Sequence, residues 1–284
     1  MKPLLSIVIA NYNYGRFLEE AIRSVIEQDG FDLCELIIVD GGSTDNSVEV
    51  IKKYERKIAW WVSEPDKGQS DAFNKGFAQA RGRFLTWLNA DDVLLPRVVK
   101  HLRAAVERYP DCQWFTGGCF WLDSEMRIIK CGRARPFSEM RYQSGIVNVN
   151  GPSSFFAKKL LETSGFVDIR FKYTMDSDLW FRFARHGARY RVAADYAFGL
   201  RLHPDAKMSG HNFKNGVLRL SEKAEDDRNK CEQLKLEQTW RLDGFSAKPF
   251  TTVRRLLSAS WIEVLRGRIN SHQWAGCKWS EVIR

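Results

Sequence analysis

The sequence predicts an α/β fold in which a mostly parallel sheet is flanked by helices. Over the first hundred residues, short apolar runs alternate with segments of helical spacing. Strands are predicted at residues 4–10, 36–39, 58–62 and 83–88, and helices at residues 16–28, 45–54 and 69–80. This alternation is typical of parallel strands joined by right-handed helical crossovers. A chain of 284 residues, 44% of them hydrophobic and 28% charged, can also bury a sizeable core.

The pattern becomes mixed after residue 96. Helices are predicted at residues 98–109 and 177–186, a hairpin at 114–122 and 126–130, and short strands at 154–157, 190–192 and 197–202. This part is typical of an α/β domain whose second half builds a lid or a binding surface. We predict one domain over residues 1–212, with halves at 1–100 and 101–212. A helical extension over residues 213–284 follows a boundary near residues 211–213.

The predicted extension differs from the rest in its charge and its tryptophans. It holds four of the ten tryptophans and more than half of the formal charge of +9. Residues 251–268 carry an apolar stripe at helical spacing, Val253, Leu256, Leu257, Trp261, Val264 and Leu265, with arginines at positions 254, 255, 266 and 268. A basic amphipathic helix with tryptophans is typical of an anionic membrane surface. The alternative is that the stripe packs on the α/β domain or on a second copy of the chain.

Composition excludes several classes of protein. The six cysteines (34, 112, 119, 131, 231 and 277) form no CxxC pair, which favours reduced thiols in a cytosolic protein over a zinc site or a disulfide framework. The apolar run near the start is too short for a signal peptide, and no run reaches the length needed to span a bilayer. We therefore expect a soluble or peripheral protein whose positive charge suits an anionic partner.

The predicted strand at residues 83–88 leads directly into Asn89, Asp91 and Asp92. Adjacent carboxylates repel each other, and a divalent cation with oxygen ligands relieves that repulsion. The carboxyl ends of strands in an open α/β sheet are also where ligands bind. Carboxylates at a strand tip are expected to contribute little to packing. The alternative is that Asp91 or Asp92 caps the helix after Pro96.

Further acids, Asp40 and Asp66, follow two other predicted strands and are expected to lie along the same edge of the sheet. Because both stand close to glycines, ordinary turn chemistry is the alternative for each of them. A dinucleotide-binding GxGxxG, a phosphate-binding GxxxxGK[ST], a GxSxG elbow and the histidine spacing of zinc proteases are all missing. These absences argue against nicotinamide, flavin and P-loop enzymes.

Four ordered segments resemble glycosyltransferase family 2. They are residues 6–13 (SIVIANYN), 37–47 (IIVDGGSTDNS), 64–76 (EPDKGQSDAFNKG) and 88–92 (LNADD). The resemblance covers about residues 4–205 and is nearest to bacterial enzymes that build surface polysaccharides. It implies the GT-A fold, with its Rossmann-like sheet, and transfer with inversion at the anomeric carbon. Residues 1–100 would form the nucleotide-sugar-binding half and residues 101–212 the acceptor half.

The resemblance also implies a role for individual residues of the donor site. Asp40 would accept a hydrogen bond from the nucleobase imide, and Asp66 would line the nucleotide pocket. The loop of Asn11, Tyr12 and Tyr14 would pack around the base. Asp91 would bind Mn²⁺ or Mg²⁺, with Asp92 supporting it. Asn89 stands where the family often has an aspartate, so the choice of metal ligand between Asp91 and Asp92 stays open; Asn89 can still bind sugar hydroxyls.

Three later segments complete the resemblance. YTMDSDLWFR at residues 173–182 would carry the catalytic base Asp176 and a second carboxylate, Asp178, with Met175 in place of the usual glutamate. RLHPDAK at residues 201–207 would supply the metal ligand His203 and the diphosphate contacts Arg201 or Lys207. GPSSFF at residues 151–156 would form the acceptor-side wall. The alternatives are acids that stabilise a helix N-terminus, a bystander histidine and a buried strand.

The function implied is transfer of a sugar from a UDP-, GDP- or dTDP-sugar to a hydroxyl of a glycan or lipid-linked acceptor. The enzyme would be cytoplasmic, or peripheral at the inner face of the cytoplasmic membrane. Asn89 and Met175 leave one alternative open, a catalytically degenerate scaffold that binds nucleotide sugars in a polysaccharide assembly complex. No nucleic-acid partner is expected, because the sequence has no nucleic-acid-binding motif.

Overall fold

The structure is a computed structural model that describes residues 2–134, 137 and 151–207. Nine strands form one sheet: β1 (Leu5–Asn11), β2 (Cys34–Asp40), β3 (Trp60–Ser63), β4 (Phe84–Asn89), β5 (Val93–Leu94), β6 (Trp114–Leu122), β7 (Ile128–Gly132), β8 (Ser154–Ala157) and β9 (Tyr190–Arg201). The helices of this part of the chain are α1 (Gly15–Ile26), α2 (Ser47–Lys53), α3 (Gln69–Gln79), α4 (Val98–Arg108), α5 (Lys158–Ser164) and α6 (Met175–Arg185).

The first half of the sheet is parallel, as predicted. Its strands lie in the order β3-β2-β1-β4, and each neighbouring pair is parallel. Asn11 lies opposite Asp40, and Asp40 lies opposite Ser63. Ala10, next to Asn11, lies opposite Asn89 of β4. The polar residues that end these strands therefore line up along one edge of the sheet.

The second half of the sheet is mixed. Strand β8 is antiparallel to both β4 and β6, which joins the two halves. Strand β9 runs parallel to β6 and antiparallel to the short strand β5. The two short strands predicted at residues 190–192 and 197–202 are one strand, β9, whose pairing with β6 shifts register near Gly117. The predicted hairpin is confirmed in β6 and β7.

Helices cover both faces of the sheet. On one face, Ile7 and Ile9 of β1 pack with residues of α1, α2 and α4. On the other face, Val8 of β1 packs with residues of α3, α5 and α6. The indole rings of Trp87, Trp180 and Trp114 stack in this second cluster, with centroids 5.6 Å and 5.1 Å apart. Gly151 fits against this stack, because a Cβ there would lie 2.5 Å from Trp87.

The alternative role of Asp91 or Asp92 as a helix cap is wrong, and helix α2 begins two residues later than predicted. Helix α4 begins at Val98 after Arg97, and strand β5 separates it from Asp91 and Asp92, so neither aspartate caps it. Helix α2 begins at Ser47, and Asp45 Oδ1 accepts hydrogen bonds from the Ser47 backbone N–H and hydroxyl. Asp45, next to the N-cap residue Asn46, thus accepts the hydrogen bond of the first backbone N–H of this helix.

Several expectations fall on parts of the chain outside the described residues. The predicted extension and the domain boundary lie beyond residue 207 and stay predictions. Within the described residues, every helix is too short or too polar to cross a bilayer.

Candidate functional site

The carboxylate of Asp91 and the imidazole of His203 meet beyond the carboxyl end of β4. Asp91 Oδ2 and His203 Nε2 are 3.2 Å apart. The side chain of His203 is 2% exposed and that of Asp91 is 16% exposed, so packing holds both groups in place. A carboxylate oxygen and an imidazole nitrogen that converge in this way fit a divalent cation such as Mn²⁺.

Two protein ligands leave most of a cation's coordination sphere to other molecules. Among the described residues, no group of three or more His, Cys, Asp or Glu side chains could hold a metal ion. Mg²⁺ is commonly bound by one or two carboxylates together with substrate phosphates and water. Asp91 and His203 therefore fit a cation that arrives with a phosphate-bearing ligand.

Asp92 points inward and joins the ends of β4 and β9. It is 2% exposed. Its Oδ1 accepts a hydrogen bond from the Arg201 backbone N–H at 3.1 Å, and its Oδ2 accepts one from Asn89 Nδ2 at 2.7 Å. Burial, and next the negative charge of Asp91, raise the pKa of Asp92 well above its usual value. The expectation that both carboxylates contribute little to packing is wrong for Asp92.

Asp40 organises the loops that follow β1, β2 and β3. The residue is fully buried. Its Oδ1 accepts hydrogen bonds from Asn11 Nδ2 at 2.6 Å and Ser43 Oγ at 2.5 Å. Its Oδ2 accepts from the Ser43 backbone N–H at 2.9 Å and Ser63 Oγ at 2.6 Å. These bonds occupy the four acceptor positions of a carboxylate. The contact of Asp40 with a nucleobase stays a prediction.

Tyr12 and Asp66 approach each other beside Gly41. A Cβ at Gly41 would lie 2.8 Å from Asp66 Oδ2 and 3.3 Å from Tyr12 Cδ2. Tyr12 is 59% exposed, and Asp66 Oδ1 accepts a hydrogen bond from the Gly68 backbone N–H at 2.7 Å. The structure therefore brings an exposed aromatic ring and a half-buried carboxylate together at the end of β2.

Residues 201–207 lie against helix α1 at one end. Tyr14 Oη donates a hydrogen bond to the Asp205 backbone carbonyl at 2.9 Å. The guanidinium of Arg201 is paired with Glu20 and lies 4.8 Å from the ring centroid of Phe17. The predicted diphosphate contact Arg201 thus faces α1 through its side chain. In this part of the chain, Arg201 Nε and His203 Nδ1 are buried and have no hydrogen-bond partner.

The other end of residues 201–207 lies against helix α3. Lys207 Nζ donates to Gln69 Oε1 at 3.2 Å, and Gln69 Nε2 donates to Asn89 Oδ1 at 2.7 Å. Lys207 Nζ also contacts the Lys172 carbonyl. Gln69 belongs to the segment at residues 64–76 but has no ionisable group, so no pattern in the sequence singles it out as a site residue. Its position between two predicted site residues gives it a place in the site.

Asp176 lies in the first turn of α6 and is partly exposed. Its Oδ1 accepts a hydrogen bond from the Ser177 backbone N–H at 2.7 Å. The preceding residue, Met175, contacts the start of α3, because Ser70 Oγ lies 2.9 Å from Met175 Sδ. This contact holds the first turn of α6 next to Gln69. A carboxylate in a first helical turn also stabilises the helix, so both interpretations of Asp176 stay open.

Asp178 lies in the same turn but faces the interior. It is fully buried, and its Oδ2 accepts hydrogen bonds from Arg182 Nε at 2.9 Å and Nη2 at 2.7 Å. Arg182 Nη1 also donates to the Ser164 and Gly165 carbonyls, both at 2.7 Å. The pair therefore ties α6 to the end of α5, a structural role. Asp176 is the accessible carboxylate of the two.

A sequence profile of glycosyl transferase family 2 matches residues 6–157, more than half of the chain. The chain belongs to glycosyl transferase family 2. An uncharacterized glycosyltransferase of Mycobacterium tuberculosis is 32% identical over 186 residues, which are 64% of this chain and 69% of the relative. One of Nostoc sp. is 42% identical over 101 residues, 34% of this chain and 31% of the relative. One of Rickettsia prowazekii is 28% identical over 199 residues, 66% of this chain and 61% of the relative.

Solved structures confirm the fold of this family 2 chain. Staphylococcus aureus TarS, residues 1–349, in complex with UDP, superposes with a TM-score of 0.60 at 18% identity, over 86% of this chain and 74% of that one. The mannosyltransferase PcManGT of Pyrobaculum calidifontis, in complex with GDP-Man and Mn²⁺, superposes with a TM-score of 0.58 at 20% identity, over 92% and 76%. The chain therefore has the α/β architecture of GT-A glycosyltransferases. The match spans only 31% of the length of the Nostoc relative and 61% of that of the Rickettsia prowazekii relative.

Proposed function

We propose that this family 2 protein is an inverting, metal-dependent glycosyltransferase that uses a nucleoside-diphosphate sugar as donor. The observation that carries the proposal is the pair of Asp91 Oδ2 and His203 Nε2, 3.2 Å apart at the carboxyl edge of the sheet. The edge beside it carries an exposed ring at Tyr12 and a carboxylate at Asp66, which suit a base and a ribose. The complexes of the neighbouring structures, with UDP in one and with GDP-Man and Mn²⁺ in the other, support a donor of this class.

Asp91 and His203 would hold Mn²⁺ or Mg²⁺. When bound, the cation would neutralise the charge that develops on the diphosphate leaving group. Lys207 lies near this edge and supplies a positive charge for the same oxygens. Asp92, buried behind Asp91, would keep β4 and β9 in register without binding the cation itself.

Asp176 would act as the general base. Its carboxylate would accept the proton of the acceptor hydroxyl while that oxygen attacks the anomeric carbon from the face opposite the diphosphate. A single displacement of this kind inverts the anomeric configuration and needs no covalent glycosyl intermediate. The contact between Ser70 and Met175 supports this role, because it holds the turn of Asp176 beside the start of α3.

The acceptor would be a hydroxyl of a glycan or of a lipid-linked sugar, in the synthesis of a surface polysaccharide. The donor would be a UDP-, GDP- or dTDP-sugar. Residues 213–284 would bring the enzyme to the anionic inner face of the cytoplasmic membrane, where a lipid-linked acceptor resides, or would pack on a second copy of the chain. These residues lie outside the described part of the structure.

The proposal is tested with purified protein, a panel of UDP-, GDP- and dTDP-sugars, and Mn²⁺ or a chelator. We expect one donor class to raise the melting temperature only when Mn²⁺ is present, because a ligand that binds only the folded state stabilises it. The same donor should be hydrolysed slowly to the nucleoside diphosphate. The Asp91→Ala variant should lose both effects. Equal turnover in Mn²⁺ and in chelator would refute the metal role, and donor binding without hydrolysis or transfer would favour the degenerate scaffold.

A further inference from the structure

A chain of hydrogen bonds connects the cation of Lys207 to the carboxylate of Asp92 through two amides. Lys207 Nζ donates to Gln69 Oε1 at 3.2 Å, and Gln69 Nε2 donates to Asn89 Oδ1 at 2.7 Å. Asn89 Nδ2 then donates to Asp92 Oδ2 at 2.7 Å. Lys207 ends the described chain and Gln69 begins α3, while Asn89 ends β4 and Asp92 lies in the turn that follows it. Gln69 is therefore the link between the 201–207 segment and the acidic motif.

The Lys207 end of this chain fixes the orientation of both amides. An ammonium group can only donate hydrogen bonds, so the oxygen of Gln69 must face Lys207. The nitrogen of Gln69 then faces the oxygen of Asn89, and the nitrogen of Asn89 faces Asp92. The amide of Asn89 thus has one orientation.

This orientation explains why residue 89 is an asparagine where the family often has an aspartate. An aspartate at this position could accept from Gln69 but could not donate to Asp92, and two carboxylates would then face each other in a buried place. Asn89 also has a second N–H on Nδ2, for which the described residues supply no partner. That N–H would be a donor for an oxygen of a bound nucleotide sugar.

We propose that Gln69 is a positioning residue of the donor site, which orients Asn89 and holds Lys207 for the oxygens of a nucleoside-diphosphate sugar. The inference rests on the proposed function and assigns a role to a residue that is neither a proposed cation ligand nor a proposed base contact. It also removes one argument for degeneracy, because Asn89 becomes part of the binding machinery rather than a lost ligand.

The experiment measures the dissociation constants of UDP and GDP by calorimetry in the presence of Mn²⁺. We expect Gln69→Leu to weaken binding of the preferred nucleotide about three- to tenfold, the usual effect of one lost hydrogen-bonded link. Gln69→Glu keeps the size of the side chain and an acceptor for Lys207 but cannot donate to Asn89. We expect it to weaken binding to a similar extent, with a melting temperature near that of the wild type.

A double-mutant cycle separates positioning from a general loss of packing. Because Gln69 acts through Asn89, Gln69→Leu should cost less affinity in an Asn89→Ala background than in the wild type. The matched control is Gln79→Leu, the same substitution at the exposed last residue of α3, which should bind nucleotide like the wild type.

The outcomes distinguish this inference from the proposed function. A wild-type protein that binds UDP or GDP with Mn²⁺, together with Gln69 variants that bind equally well, would overturn the role of Gln69 alone. The role of Gln69 would also be overturned if the fold-losses of nucleotide affinity from Gln69→Leu and Asn89→Ala simply multiply in the double variant. A wild-type protein that binds neither nucleotide would refute the proposed donor class and this inference with it.

Discussion

The neighbouring residues Asp91 and Asp92, which follow β4, have different surroundings, and these surroundings suit them to different roles. Asp91 has a side chain that is 16% exposed and meets His203. Asp92 is 2% exposed and accepts hydrogen bonds from Asn89 and from the Arg201 backbone. A residue that binds an external cation has to be reachable, whereas a residue that joins two strands has to be enclosed. Asp91 meets the first condition and Asp92 meets the second.

Substitution by alanine should separate these roles. Asp92→Ala leaves the buried Arg201 backbone N–H and the half-buried Asn89 Nδ2 without an acceptor, so we expect the free energy of unfolding to fall by about 2–4 kcal/mol. Asp91→Ala removes only the partly buried contact with His203 Nε2, so we expect a smaller loss of about 0.5–1 kcal/mol. Urea unfolding of both variants measures the difference. Two variants of equal stability would mean that Asp92 does not join β4 to β9.

Asp176 and Asp178 form a second pair of neighbours that differ in the same way. Asp176→Asn should lower kcat on the order of a hundredfold or more while the KM for the donor stays near the wild-type value, because a general base acts in the chemical step. Steady-state kinetics with the preferred donor and acceptor measure both constants.

Asp178→Asn is the matched comparison. It weakens the buried pair with Arg182, so we expect a lower melting temperature and, in the protein that stays folded, a kcat closer to the wild type. A near-normal kcat for Asp176→Asn combined with a large loss for Asp178→Asn would move the base to Asp178.

Among the secondary-structure elements, the two edges of the parallel sheet differ in role: one carries the proposed site and the other stabilises the fold. The carboxyl edge carries Asp40, Asn89 and the proposed site. The opposite edge carries Glu35, near the start of β2, whose carboxylate is buried and accepts hydrogen bonds from Ser6 Oγ at 2.6 Å, the Arg81 backbone N–H at 2.5 Å and Arg81 Nε at 2.8 Å. This cluster ties β1 and β2 to the turn before β4. Its function is stability.

The Glu35 cluster makes stability depend on pH in a defined direction. Burial alone raises the pKa of Glu35, but the hydrogen bonds from Ser6 and Arg81 together outweigh burial and hold its pKa below the ordinary value of 4.5. A folded-state pKa below that of the unfolded chain stabilises the fold above pH 4.5. This contribution is lost as the pH falls through the lowered pKa.

We therefore expect Glu35→Gln to lower the free energy of unfolding by about 1–3 kcal/mol at pH 7, because two or more charge-assisted hydrogen bonds are weakened. The difference from the wild type should shrink as the pH falls through the lowered pKa of Glu35, because its carboxylate then becomes neutral like the glutamine amide. Urea unfolding at several pH values measures it. Glu49→Gln, on the exposed face of α2, is the control and should change little at any pH. A penalty for Glu35→Gln that does not vary with pH would contradict the role of its charge.

Some strands could be predicted from the sequence, and others could not. The parallel half was predictable because apolar runs and helical spacing are local patterns, and strands β1 to β4 follow them within about two residues. Strand β9 was divided in two because residues 193–196 (AADY) include two alanines and an aspartate, which have low strand propensity. Its register shift also depends on Gly117 of β6, which is far away in the sequence. Strand β5 has only two residues, and its pairing with β9 defines it as a strand. Pairing across the fold is not visible in a local window.

In the whole molecule, the candidate site is formed by residues that are distant from each other in the sequence. Asp91 and His203 are 112 residues apart, and Gln69 and Lys207 are 138 residues apart. Residue types and motif order predicted Asp91, His203 and Lys207 as members of one site. They could not predict which of Asp91 and Asp92 faces inward, because the backbone of Arg201 decides it. They could not single out Gln69 either, because an amide becomes informative only when both of its partners are known.

The predicted extension, residues 213–284, would determine whether the enzyme binds a membrane surface. If residues 251–268 lie on an anionic membrane, arginines 254, 255, 266 and 268 contribute about 1 kcal/mol each to binding. Replacing these four arginines with glutamate should then lower binding to vesicles that contain phosphatidylglycerol by a factor of a hundred or more, on the order expected for that free energy. Binding to neutral phosphatidylcholine vesicles should change far less. Co-sedimentation of the full chain with both kinds of vesicle measures this.

The control has to change the total charge equally without touching the extension. Lys2, Lys52, Arg56 and Lys57 are exposed on the α/β domain, and their replacement by glutamate gives the same net charge. We expect that control variant to keep most of its membrane binding, because attraction to a charged surface falls off within about 10 Å. Equal losses in both variants would mean that overall charge, rather than a positioned helix, attracts the protein to lipid. No binding by the wild type, together with a change in oligomeric state on substituting Trp261, would place the stripe in an interface between copies of the chain.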